Sequence, residues 1–70
     1  MTIEPGERVT VMDDLRTEEG RIVLAGSTGT VVGYVGPRYV VEVEDRATGE
    51  RLQLLTYAWN VRRSTPRLVR

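Results

Sequence analysis

The chain contains no cysteine, no histidine, no lysine and no phenylalanine. Without cysteine there is no disulfide framework, and without cysteine or histidine a structural zinc has none of its ordinary ligands. The usual general bases and activated nucleophiles are absent too, which leaves catalysis to carboxylates. Aromatic residues are scarce, at three tyrosines and one tryptophan. Long apolar runs are missing: the longest, Ile22 to Ala25, has four residues, against the ~20 needed to span a bilayer. The opening MTIEPGERVTV has no basic start followed by an apolar stretch, so no signal peptide is expected. These absences lead to the expectation of a cytoplasmic protein with no membrane partner, no metal, no cofactor and no small-molecule substrate.

What is present is aliphatic. Eleven valines and six leucines must supply the core of a 70-residue chain. A chain this short forms one domain at most and buries only about 60% of its unfolded surface, so its stability gains from association. The formal charge is zero, yet residues 1–50 hold all ten acidic groups with five arginines, and residues 51–70 hold five arginines and no acid. Either the two ends attract each other, or the basic tail is simply solvated, or it is a nucleic-acid contact.

Alternating apolar and polar residues predict short strands. The first is Glu7–Met12, with Val9 and Val11 inward, entered through Pro5-Gly6 and ended by Asp13-Asp14. Residues 13–21 read as a loop with room for one short helix over Thr17–Gly20, and Ile22–Ala25 is expected to return the chain to the core. Gly26 and Gly29 are read as bracketing a tight turn before a strand over Thr30–Val35. Within that strand Gly33 is read as a bend, because glycine weakens a strand unless it must curve. Gly36-Pro37 gives a hairpin into Arg38–Glu44, with Tyr39, Val41 and Val43 inward and Val40 on the polar face. A polar turn over 45–50 leads to Arg51–Leu55, with Leu52 and Leu54 inward. A 3₁₀ turn and a final strand around Val61 follow, stopped by Pro66. The expected architecture is therefore all-β: a small five-stranded barrel over residues 1–64 and a basic tail, expected to be frayed, over 65–70.

The runs PGERVTV, GSTGTVVGY and YVVEVED, and a Gly-Glu turn into RLQLL, resemble small bacterial SH3-like barrel domains. Those carry P-G-D-x-V-x-L, a loop ending in G-x-x-G-T-V-V, then Y-x-V-E-F and a closing strand. The resemblance covers about residues 4–62 and implies an SH3-like barrel, a fold reused for unrelated tasks. Similar barrels include KOW-type RNA-binding domains and subunits of nitrile-hydratase-type enzymes. A KOW loop is usually basic; here it carries Asp13, Asp14, Glu18 and Glu19 against Arg16 and Arg21.

Two groups of residues are candidate sites. Val32, Tyr34 and Val40, with Leu55 beside them, are apolar on faces expected to be polar; on adjacent strands they would form a protein interface, including one for self-association. Tyr57 and Trp59 lie near Arg62, Arg63, Arg67 and Arg70. Trp, Tyr and Arg dominate binding hot spots, so this end is a candidate for a protein partner or nucleic acid. The alternative is that Trp59 plugs the open end of the barrel. Asp13-Asp14 and Glu18-Glu19 are adjacent in a solvated loop and make poor acid/base or metal pairs. The turn glycines of Gly26–Gly29 precede a strand rather than a helix, which disfavours a phosphate cradle. The functional expectation is a non-catalytic protein-interaction or accessory module, with RNA binding and a barrel subunit of an enzyme assembly as alternatives.

Overall fold

Alternation of small apolar and polar residues produces short strands that take in about half of the described residues. The structure, a computed structural model, describes residues 3–45 and 48–64. Its strands are β1 (Arg8–Val11), β2 (Leu15–Arg16), β3 (Ile22–Val23), β4 (Thr28–Val35), β5 (Arg38–Glu44), β6 (Arg51–Thr56) and β7 (Val61–Arg63). A single 3₁₀ turn, Ala58–Asn60, separates the last two. The fold is all-β. Among the described residues no helix is long and apolar enough to cross a membrane.

Five strands pair antiparallel in the order β6-β5-β4-β1-β7, and β2 and β3 form a separate two-stranded ribbon. The five-stranded sheet is open, with β6 and β7 as its edges, and this corrects the expectation of a closed barrel. The reason is local. β6 passes into β7 through the 3₁₀ turn, in which the Asn60 N–H donates to the Tyr57 carbonyl at 2.9 Å, rather than through a hairpin that would pair the two strands.

The ribbon adds Leu15 and Val23 to the core. Its turn is not helical. The buried Thr17 closes it, accepting from the Arg21 N–H through its hydroxyl at 3.0 Å and from the Gly20 N–H through its carbonyl at 3.0 Å. Of the run Ile22–Ala25 only Val23 reaches the core; Ile22 and Leu24 are exposed, because successive residues in a strand point to opposite sides. Arg21 ties the ribbon to the β5–β6 turn through Glu50 at 2.8 Å and Asp45 at 2.9 Å.

Val9, Val11, Val31, Val41 and Leu54 are fully buried. Val31, Val41 and Leu54 stand side by side across β4, β5 and β6. The inward set of β5 is Tyr39, Val41 and Val43, and that of β6 is Leu52 and Leu54, both as the alternation predicts.

Two glycines shape β4. Gly26 takes the turn, at φ +92°, but Gly29 does not share it. Gly29 lies inside β4, between Val9 of β1 and Val43 of β5. A Cβ there would sit 2.6 Å from the Glu42 carbonyl oxygen and 2.9 Å from Cγ1 of Val41, so the glycine is required by close packing. Further along, the ladder with β5 shifts between Val31 and Gly33, leaving Val32 as the extra residue of a β-bulge. Bulges bend a strand and increase its twist.

These two positions make opposite predictions. Gly29→Ala forces backbone and valine side chains apart and should destabilise by roughly 1–3 kcal/mol, as overpacking does. A Cβ at Gly33 meets nothing within 4 Å, so Gly33→Ala should change stability by less than about 0.5 kcal/mol. Urea midpoints of the two variants give the comparison.

Candidate binding surface

The aromatic pair is set by the short link from β6 to β7. Tyr57 is extended (φ −95°, ψ 159°) and the 3₁₀ turn that follows has no buried residue. The turn brings Trp59 back over Tyr57, and the rings stack with centroids 4.6 Å apart and planes 2° from parallel. Trp59 is 74% exposed. It does not plug the core. Arg38, which opens β5, lies where the ladder pair Tyr39–Thr56 ends. Its guanidinium carbon is 5.9 Å from the Tyr57 ring centroid, within cation–π range. The Arg38 Nη1 is also 3.9 Å from Oε2 of Glu18 at the tip of the ribbon.

The arginines expected to join the aromatics divide. Arg62 is exposed on β7, opposite Thr10. Arg63 instead donates to Glu7 through Nε, and through Nη2 at 3.2 Å. Glu7 also accepts the Glu4 N–H at 2.8 Å. These donors, Arg63 first, hold the Glu7 carboxyl below the ordinary glutamate range, and Glu7 in turn keeps Arg63 firmly charged. Arg63 fastens β7 to the entry of β1. Arg67 and Arg70, with the rest of the 65–70 tail, lie outside the described residues.

The second group, Val32, Tyr34 and Val40, is broken up by the bulge. Val32 is exposed on the outer side, and Val40 is half-buried opposite Leu55. Tyr34, however, pairs with the inward Tyr39 rather than keeping step with Val32. Its ring lies 5.4 Å from that of Tyr39, and its hydroxyl donates to the Ile3 carbonyl at 2.7 Å. Partial desolvation, then Tyr39, Glu4 and Glu7, raise the pKa of that hydroxyl. Tyr34 therefore anchors the N-terminal segment, and the three residues do not form one face.

A crevice that sequence reading missed lies between the ribbon tip and strands β5 and β6. Glu18 and Glu19 of the ribbon tip, Glu42 of β5, and Arg51, Gln53 and Leu55 of β6 line it. No local pattern in the sequence announces it, because the ribbon tip meets β5 and β6 only through the fold. A second, more apolar crevice has Val43 and Leu52 in its lining, with the exposed Ile22 and Leu24 beside them. Asp14 is structural: its carboxylate accepts the Ala25 N–H at 2.8 Å.

The Glu7–Arg63 pair carries a pH dependence. A carboxylate with a lowered folded-state pKa contributes stability in full above its unfolded pKa, and that contribution is lost as pH falls through the folded value. Glu7→Gln should therefore be less stable than the parent at neutral pH, and the gap should shrink on acidification. Denaturant titrations of both proteins along a descending pH series measure it.

Compared with known proteins, the chain matches no family model, no curated protein and no solved structure.

Proposed function

We propose that this chain is a non-catalytic binding domain of the SH3-like barrel type, and that it receives a segment of a partner protein on the Tyr57–Trp59 stack. The observation that carries the reading is the exposure of Trp59, 74% open to solvent while stacked flat on Tyr57. In a chain with one tryptophan and no phenylalanine, the largest apolar side chain is withheld from a small core. Large rigid aromatic rings offer much contact area at little entropic cost, which is why they anchor interfaces.

An SH3-like arrangement of the strands, left as an open sheet, is supported by the strand order, by β1 pairing with both β4 and β7, and by the bulge at Val32. A binding role is favoured over catalysis by a sequence without His, Cys or Lys. A protein ligand is favoured over nucleic acid by the surroundings of the stack. Arg38 is already drawn to Glu18, and Arg63 is engaged by Glu7. Glu18 and Glu19 stand nearby, and carboxylates beside a phosphate backbone oppose the counterion release that drives nucleic-acid binding.

Display selection of random peptides on the parent protein, with counter-selection on Trp59→Ala, tests this. Because the ring is exposed, Trp59→Ala should leave the thermal unfolding midpoint within about 2 °C, in keeping with the small effect of surface substitutions. It should abolish capture of the enriched peptides. If instead no enriched peptide depends on Trp59 and single-stranded RNA quenches its fluorescence in a salt-sensitive manner, the ligand is nucleic acid and the proposal falls.

A further inference from the structure

We infer that the segment received by this surface is extended and cationic, lying along Arg51, Gln53, Leu55 and Tyr57 with a basic side chain among Glu18, Glu19 and Glu42; this rests on the Tyr57–Trp59 reading above. Leu52 and Leu54 are buried, and their alternating neighbours Arg51, Gln53 and Leu55 line the crevice beside the ribbon tip. Residues at two-residue intervals along a strand repeat every ~6.6 Å, the same repeat as the side chains of an extended peptide. From Arg51 to Tyr57 the row therefore spans about 20 Å, the length of roughly six or seven extended residues.

Charge selects the occupant. Three carboxylates and one arginine, Arg51, line the crevice, which leaves it net negative. Arg51 stands opposite Glu44 in the ladder, and Arg38 approaches Glu18 at 3.9 Å. That last contact joins two solvent-exposed side chains at the outer limit of an ion pair, so it holds Glu18 only weakly. An incoming guanidinium or ammonium can take over Glu18 and add Glu19 and Glu42. An acidic segment would bring like charges together, which interfaces strongly disfavour. Leu55, which lines the crevice, with Val40 opposite it in the ladder, supplies apolar surface for the methylene stem of an arginine or lysine.

The test uses capped heptapeptide pools, randomised except at two positions fixed as Arg, Gln or Glu, titrated against the full chain. Trp59, the sole tryptophan, reports binding by fluorescence, and Trp59→Ala in a labelled-peptide format reports whether binding needs the ring. The Arg pool should bind roughly tenfold more tightly than the Gln pool, as one good charge contact would give, and the Glu pool should not bind. Glu19→Gln with Glu42→Gln should remove the advantage of the Arg pool and leave the Gln pool unchanged, and added salt should do likewise. Equal, Trp59-dependent binding of the Arg and Gln pools would overturn the cationic inference while leaving the protein-segment reading intact. Failure of every pool to bind in a Trp59-dependent way would overturn both.

Discussion

One extra residue in β4 governs much of this structure. The ladder with β5 pairs Val31 with Val41 and then Gly33 with Val40, so Val32 has no partner. Up to that point β4 alternates as a half-buried strand should. Beyond it the parity is reversed, and Tyr34 faces the same way as Tyr39. Two consequences follow from that reversal. Tyr34 and Tyr39 together hold Ile3, one donating to its carbonyl and the other accepting its N–H at 3.4 Å, which adds a buried isoleucine to a core short of large side chains. The increased twist of a bulged strand also suits a sheet that must curl around valines instead of lying flat over bulky rings.

The same shortage explains why the aromatics end where they do. A core built mainly from valine and leucine is narrow, and the link between β6 and β7 is only four residues long. Three of those residues form the 3₁₀ turn, and none of the three is buried. Trp59 has no path into the interior from that position, so its ring folds back on Tyr57, the nearest apolar surface. Arg38 arrives at the other face of the problem. The β5–β6 register sets it beside Tyr57, where the cation meets the ring.

The five strands of the main sheet, their inward residues before the bulge and the positive-φ turn at Gly26 could be read from alternation and turn chemistry, since both are local; the short β2–β3 ribbon, read as a loop, could not. The patch of Val32, Tyr34 and Val40 could not be read correctly, because a bulge is a property of two strands and appears in one only as an ambiguous glycine. Gly29 misled for a related reason. As a residue in the chain it resembles a turn glycine, and its true constraint is the backbone of Glu42 and the side chain of Val41. Tyr57 and Trp59 were visible as a pair, but Arg38 was not, being 19 residues earlier in the chain and joined to them only by strand pairing.

The segregation of charge along the sequence is a further case in which linear order and spatial order differ. Acids gather in the first fifty residues and unopposed arginines in the last twenty, which suggests a molecule with an acidic body and a basic end. Folding interleaves them. Arg63 of the last strand meets Glu7 at the entry to the first. Arg21, within the acidic half, is held by Glu50 and Asp45. Such pairs are worth little each at an exposed surface, but they cancel the long-range field that a separated arrangement would create. What survives is local. The tip of the ribbon brings Glu18 and Glu19 into one crevice with Glu42, and Arg38, drawn loosely to Glu18, also lies over the Tyr57 ring of the stacked pair. Apolar area and net negative charge are therefore linked through Arg38, and that link arises from strand pairing, not from the order of residues in the chain.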